Sequence, residues 1–158
     1  MSTAVPPVLT AAQLLKHYQE HRRLTRRVIE AFPADQINAF TIGGMRSFGA
    51  LVQELLGMPV PTLVGITSGK WETAWATAPE EKAALIARWD AQTPEIDRLW
   101  AQVRPEAWQE VMNAFGYFEG PAINIFFYVI DNEVHHRGQG YVYLRALGIE
   151  PPPFHVRD

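Results

Sequence analysis

The sequence contains no cysteine among its 158 residues. This absence excludes disulfide bonds, thiolate metal ligands and a cysteine nucleophile. It is also compatible with a reducing compartment such as the cytosol. Any chemistry that the chain performs must therefore use other side chains.

The sequence also has little net charge and few features of an exported or membrane protein. A formal net charge of -3 argues against a broad nucleic-acid-binding surface. The first seven residues lack the positive and apolar regions of a signal peptide, and no apolar run approaches a membrane-spanning length. A local basic cluster on the first predicted helix is interpreted as a solvated helix face, and it consists of Arg22, Arg23, Arg26 and Arg27. We expect a soluble, cytoplasmic protein that contacts neither membrane nor nucleic acid.

Apolar residues make up 47% of the chain and recur mostly at helical spacing. Helix start and stop signals predict four long helices, at about 11–31, 47–58, 78–103 and 122–147. The sequence has no glycine-rich phosphate-binding loop and no nucleophile elbow. Nothing therefore supports nucleotide-dependent or serine-hydrolase chemistry. We predict an all-α four-helix bundle with long crossover connections, folded as a single domain over residues 1–158.

Three expectations concern the segments between and within these helices. Residues 59–76 are predicted to form a long connection with one short helical turn. Pro94 is expected to bend or break the third helix near Gln92. Residues 104–120 are ambiguous, and a short extended pair turning at Gly116 is one solution.

The last predicted helix carries the densest set of chemically capable side chains. At about 100° per residue, one narrow arc is polar and aromatic. This arc contains Ile125, Tyr128, Asn132, His136, Gln139 and Tyr143. The opposite side is mainly apolar and contains Phe126, Phe127, Ile130, Val134 and Tyr141. Judged from this helix alone, the polar arc is expected to face water. Its two tyrosines argue against this, because such bulky side chains are more at home in the lining of a pocket.

Asn132 and His136 lie four residues apart, so one helical face presents both side chains to the same point. Imidazole is a good ligand for zinc, nickel, iron or copper, but an asparagine amide is a weak one. The pair therefore needs an anionic third ligand. Glu54 lies at the edge of the second helix's apolar stripe, where it could supply that ligand.

The other histidines offer weaker alternatives. His17 and His21 share the four-residue spacing, but no carboxylate is paired with them in sequence, so we interpret them as histidines at the boundary of the core. His135 points about 100° away from His136, so the two cannot share one ion on a regular helix. His155 follows three prolines and is expected to be solvated.

The segment Asp131–Pro152, DNEVHHRGQGYVYLRALGIEPP, resembles the last-helix signature of the DinB family of DNA-damage-inducible, YfiT-like metalloenzymes. The upstream segment Met45–Gly49, with Leu51 and Leu55, resembles the start of that family's second helix. With the order of helices, the resemblance covers nearly the whole chain. It implies a four-helix bundle, commonly a homodimer, with a metal held by three histidines.

In the family, one histidine comes from the second helix and two come from an H-x-x-x-H pair in the last. Carried over position by position, that pair falls on Asn132 and His136. The second-helix ligand falls on Glu54 or, with a one-residue shift, on Gln53. Only one of the three histidines is therefore present. The resemblance also implies that the polar arc lines an internal pocket.

Two functional hypotheses follow from the resemblance. In the first, a divalent metal such as zinc or nickel is held by Glu54, Asn132 and His136. The metal would activate a low-molecular-weight thiol of the bacillithiol type for S-transfer to a small molecule, as in some relatives. The substrate-binding residues would be Gln139, Tyr143 and Tyr128. In the second, the protein is a non-catalytic stress-response bundle whose degenerate metal site binds a small ligand or none.

Overall fold

Helices dominate the structure, a computed structural model that describes residues 7–73 and 75–158. The helices are α1 (Ala11–Ala31), α2 (Phe48–Leu56), α3 (Pro59–Ser68), α4 (Lys82–Trp100) and α5 (Ala122–Ala146). A 3₁₀ helix at Pro105–Gln109 leads into an antiparallel hairpin of β1 (Val111–Ala114) and β2 (Phe118–Pro121). The predicted helical bundle is confirmed. The first six residues, on which the signal-peptide interpretation partly depends, lie outside the described residues.

Side-chain caps explain where α1 and α2 begin. Thr10 and Gln13 form a capping box, in which each side chain bonds the backbone N–H of the other. Ser47 Oγ accepts a hydrogen bond from Ala50 N at 3.3 Å. These bonds satisfy N–H groups that have no partner within the helix. Both predicted helix starts are confirmed.

The chain after α2 differs from the prediction. The expected connection begins instead with α3, which follows α2 after a break at Gly57. Pro59 occupies the first turn of α3, where its missing N–H costs no hydrogen bond. Leu63 and Ile66 are buried in the core, so packing stabilises this helix despite its poor helix propensity. The sequence pattern failed here because packing outweighed local preference.

Two further expectations have clear outcomes. The helix does not break at Pro94, because α4 runs without interruption from Lys82 to Trp100. The extended pair between α4 and α5 is confirmed as the β1–β2 hairpin. Its turn contains Phe115 at φ 56° and Gly116 at φ 80°, the left-handed region that suits a tight reversal.

The apolar stretch formed by α2 and α3 corrects the prediction that no apolar run approaches a membrane-spanning length. Phe48–Ser68 is long and apolar enough to cross a membrane by length and composition, with a mean hydropathy of 1.3. In the structure, however, 67% of this window is buried against the rest of the protein. The stretch therefore packs into the protein as the core helices of a soluble domain do.

Two apolar clusters build the core. The first includes Leu14, Tyr18, Leu63, Ile96, Trp100, Trp108 and Phe126. The second includes Val28, Phe32, Phe48, Leu55, Trp89 and Tyr143. Along α1 and α5, buried polar residues separate the two clusters in sequence. We call these residues the polar layer, and they are His21, Arg22, Thr25, Glu133 and Arg137.

The polar layer joins three helices through hydrogen bonds and one cation–π contact. Arg22 lies over the Trp89 ring at 4.2 Å and donates to the Trp89 carbonyl at 3.0 Å, which ties α1 to α4. Thr25 Oγ1 lies 2.6 Å from Glu133 Oε1 and accepts a hydrogen bond from Arg137 at 3.1 Å, which ties α1 to α5. Burial raises the pKa of the Glu133 carboxyl.

The arginine cluster on α1 is not a uniform solvated face. Arg22 is fully buried, so that interpretation is wrong for it. Arg26 forms an ion pair with Asp90 at 2.6 Å. Arg23 and Arg27 donate to backbone carbonyls of the C-terminal tail, residues 150–158. The sequence could not reveal these partners because they lie far along the chain.

Close packing between α5 and α2 depends on Gly140. A Cβ at Gly140 would lie 2.4 Å from Cε2 of Phe48, whereas a Cβ at Gly138 would meet no atom within 4 Å. We expect Gly140→Ala to lower the free energy of unfolding by about 1–3 kcal/mol. The matched Gly138→Ala should leave it unchanged or raise it by about 0.5–1 kcal/mol. Urea denaturation measures both, and equal effects would contradict this packing.

The polar layer also predicts a pH dependence. Burial, together with the positive charges of Arg137 and Arg157, lowers the pKa of His21 to about 3 from an ordinary value of 6.5. Below pH 6.5 the unfolded chain binds a proton at this residue and the folded protein does not. The contribution of neutral His21 to stability is therefore complete above pH 6.5 and is lost as the pH falls from 6.5 towards 3.

We expect the melting temperature to fall less between pH 7 and pH 5 in His21→Gln than in the wild type. His135→Gln, which changes an exposed histidine on α5, should behave as the wild type does. Thermal denaturation followed by circular dichroism at a series of pH values tests this. The same slope in wild type and His21→Gln would refute the assignment.

Candidate functional site

The structure brings the three predicted ligand positions together where α2 packs against α5. Glu54 Oε1 lies 3.1 Å from His136 Nε2 and 3.1 Å from Asn132 Nδ2. The four-residue spacing on α5 places the last two side chains on one face, and the close approach at Gly140 brings α2 alongside. The part of the polar arc that carries Asn132 and His136 therefore faces α2.

Glu54 is the centre of this cluster. Arg46, which lies just before α2, donates from Nη1 to Glu54 Oε2 at 2.6 Å. Burial alone would raise the pKa of the Glu54 carboxyl, but hydrogen bonds from its three neighbours outweigh burial and hold that pKa below its usual range. Glu54 is thus an ionised carboxylate at neutral pH, and both of its oxygens have protein partners.

His136 is held on both sides of its ring. Nε2 faces the Glu54 carboxylate, and Nδ1 lies 2.6 Å from Gln139 Oε1. The side chain is buried, with only 6% of the residue exposed. A general base needs a nitrogen within hydrogen-bond reach of a substrate proton. In this arrangement a substrate would have to displace Glu54 or Gln139 to reach a ring nitrogen.

An open cleft of about 490 Å³ lies beside Glu54. We call it the aromatic cleft, and its lining includes Arg46, Gln53, Glu54, Trp75, Tyr117 and Tyr128. Trp75 and Tyr128 are each 50% exposed, so large aromatic surfaces face the cleft and solvent. An apolar recess of about 50 Å³ adjoins it and is lined in part by Met58, Phe115, Ile125 and Val129.

The predicted substrate-binding residues lie in different surroundings. Tyr128 lines the aromatic cleft. Gln139 contacts His136 and, through Nε2, Met45 Sδ at 3.7 Å. Tyr143 is fully buried, and its hydroxyl donates to the Arg46 carbonyl at 2.8 Å. Tyr143 therefore supports the backbone that carries Arg46.

Gln53, the alternative second-helix ligand, faces another segment. Its Nε2 donates to the Ala78 carbonyl at 2.8 Å and to Glu80 Oε1 at 3.1 Å. These bonds attach α2 to the chain that precedes α4. Glu54 is therefore the α2 residue beside His136.

Three residues of the site escaped the sequence reasoning. Arg46 precedes the first turn of α2, and Trp75 and Tyr117 lie in connections. None of them has a helical register that would assign it to a face. The only signal was composition, since aromatic side chains are frequent in this sequence at 11%.

The residues present do not fit the three-histidine site that the family implies. Within residues 7–73 and 75–158, no three side chains of histidine, cysteine, aspartate or glutamate form a group that could hold a metal ion. The donors here are one imidazole, one carboxylate and one neutral amide. The carboxylate already carries an ion pair with Arg46. A guanidinium thus supplies the positive charge beside Glu54.

The rival pair on α1 does not form a cation site either. The two Nε2 atoms of His17 and His21 lie 3.2 Å apart. His21 is in turn 2.9 Å from Arg137 Nη2 and 3.3 Å from Arg157 Nη1. Two guanidinium groups beside one imidazole disfavour a further cation.

Comparisons with known proteins agree with the fold. The sequence model of the DinB family matches residues 1–158. A DinB-like protein from Bacillus subtilis superposes with a TM-score of 0.73 at 20% identity, covering 92% of this chain and 99% of its own. No curated protein matches this sequence.

Two other solved structures have the same fold. A DinB-like protein from Bacillus cereus gives a TM-score of 0.74 at 17% identity, covering 91% of this chain and 97% of its own. A protein described as a member of the DinB family from Exiguobacterium sibiricum gives 0.69 at 20% identity, covering 94% and 99%. The chain described here belongs to the DinB family.

Proposed function

We propose that this protein binds a small, uncharged amphipathic molecule in the aromatic cleft, without a metal and without catalysing its conversion. One observation carries the proposal. Both oxygens of Glu54 and both ring nitrogens of His136 are engaged by side chains of the protein itself. These contacts stabilise the site, and an ion or a substrate would have to displace a protein side chain to reach either group.

The charge of the cluster favours a neutral ligand. Arg46 and Glu54 form a pair whose net charge is zero, so the pair does not strongly favour either a cationic or an anionic ligand. Arg46 uses Nη1 for Glu54, and its side chain is 54% exposed. Its other N–H groups are available to an acceptor oxygen on a ligand.

The apolar part of the ligand would lie on the aromatic walls. Trp75 and Tyr128 present half-exposed rings, and Tyr117 is exposed further out. Exposed aromatic side chains of this size are typical of ligand or partner contacts. The recess beside Tyr128 would accept a small apolar substituent. In this proposal the protein acts as a cytoplasmic, homodimeric stress-response binder.

Neutral aromatic amides, from benzamide upward in size, are suitable probes. We expect saturable binding to the wild type and a roughly tenfold weaker affinity in Tyr128→Ala, because an aromatic contact surface is lost. Phe154→Ala is the matched control, since Phe154 is 68% exposed but lies in the C-terminal tail. Protein-observed NMR titration measures the affinities. Equal binding by all three proteins, or by none, would refute the site.

A second proposal is the metal-dependent S-transferase. It is supported by the 3.1 Å separation of Glu54 Oε1 and His136 Nε2, because two ligands of one zinc ion are separated by roughly 3.3 Å. Zinc or nickel would be held by Glu54, Asn132 and His136, and the thiol would come from solution. The ion pair of Glu54 with Arg46 opposes this proposal.

Metal content separates the two proposals. Protein without a histidine tag is incubated with zinc or nickel, dialysed and analysed by mass spectrometry, together with His136→Ala and the control His135→Ala. The proposal of metal-free ligand binding predicts the same, sub-stoichiometric metal content in the wild type and both variants. The S-transferase proposal predicts about one ion per chain that only His136→Ala loses, and consumption of a low-molecular-weight thiol with an electrophilic acceptor.

A further inference from the structure

The C-terminal tail returns across α1 and α5 and is fixed there by hydrogen bonds. The Tyr141 hydroxyl donates to the Pro152 carbonyl at 2.7 Å. Arg23 Nε donates to the Arg157 carbonyl at 3.0 Å, and Arg27 Nη1 donates to the Asp158 carbonyl at 2.9 Å. Between the tail and α5 lies a space of about 610 Å³, which we call the tail groove.

The tail groove and the aromatic cleft lie on opposite sides of α5. Val134, Gly138 and Arg145 line the groove, whereas Asn132 and His136 face α2. At about 100° per residue, these two sets differ by roughly half a helical turn. Ligand binding in the groove is therefore independent of the function proposed above.

Positive charge is in excess in the tail groove. Arg137, Arg145 and Arg157 line it, and Glu150 is the one acidic residue among the lining residues that the structure describes. Arg145 and Arg157 form no ion pair with any described side chain within 4.0 Å. Arg137 has only a long pair with Glu133 at 3.8 Å.

His21 cannot satisfy both of the arginines beside it. Its Nδ1 lies 2.9 Å from Arg137 Nη2, and its Nε2 lies 3.3 Å from Arg157 Nη1. A neutral imidazole has one nitrogen that accepts and one that donates. The buried Arg137 takes the accepting Nδ1, so Nε2 carries the proton and faces His17 Nε2 at 3.2 Å. The half-buried Arg157 is then left without an acceptor at His21, and an anion would supply one.

Apolar side chains also line the groove. Val134 is 41% exposed, and Tyr141 and Pro152 are joined by their hydrogen bond. An inorganic ion would leave these walls in contact with water. A ligand with an apolar group beside its charge would cover them.

We propose that the tail groove binds the oxyanion group of a small organic acid, with its oxygens on Arg157, Arg145 and the edge of Arg137. The apolar part of the acid lies against Val134 and Tyr141. Carboxylates and phosphate monoesters share this chemistry. Guanidinium groups bind both through paired N–H donors.

Isothermal titration calorimetry with phenyl phosphate, benzoate and inorganic phosphate tests the proposal. We expect saturable one-to-one binding of phenyl phosphate or benzoate to the wild type, and weaker binding of inorganic phosphate. Arg157→Gln and Arg145→Gln should each weaken the binding of the organic anions about tenfold, because a charge-assisted hydrogen bond is lost. The relative affinities of phenyl phosphate and benzoate identify the preferred oxyanion.

Two control variants make the result specific. Arg98→Gln removes the same charge from an exposed position on α4, and Arg46→Gln removes it from the aromatic cleft. Both should bind the organic anions as the wild type does. Absence of saturable binding, an equal loss in Arg98→Gln, or a loss in Arg46→Gln alone would overturn the proposal. Circular dichroism confirms that each variant is folded.

Discussion

Charged side chains buried in the middle of a helical bundle oblige the neighbouring helices to supply partners for them, because an unpaired buried charge costs several kcal/mol. Arg22 meets this requirement in part, through the ring and carbonyl of Trp89 on α4, while its Nε has no hydrogen-bond partner among the described residues. Glu133 accepts a hydrogen bond from Thr25 on α1. These pairs fix how far α1, α4 and α5 can slide along one another. With α5 fixed in this register, Asn132 and His136 point towards α2. The candidate site is thus a consequence of the polar layer.

The pairing of Arg46 with Glu54 has a simple electrostatic logic. A metal ion and a guanidinium both place positive charge beside a carboxylate, but the guanidinium is covalently attached and has fixed directions for its hydrogen bonds. The Arg46–Glu54 pair is neutral, and both carboxylate oxygens have protein partners. In the function proposed above, recognition depends on shape and aromatic surface. The half-exposed rings of Trp75 and Tyr128 suit that change.

Helical spacing in the sequence was enough to predict the bundle and the juxtaposition of Glu54, Asn132 and His136, because regular helices convert spacing into direction. It was not enough for Arg22, whose buried position depends on Trp89, 67 residues away. Nor did it find α3, whose glycine and β-branched residues form a helix only because the core packs against it. Arg46 and Trp75 lie outside regular helices, so no period could assign them to the cleft.

The partners of the polar layer also determine when the protein can finish folding. Thr25 and His21 on α1 meet Glu133 and Arg137 only across 108 and 116 residues of chain. Until α5 has been synthesised, the apolar faces of α1, α2 and α3 lack the helix that covers them. Such a chain exposes apolar surface and is prone to aggregation. Completion of the native state therefore waits for the C-terminal quarter of the protein, and docking of α5 is expected to be the cooperative step.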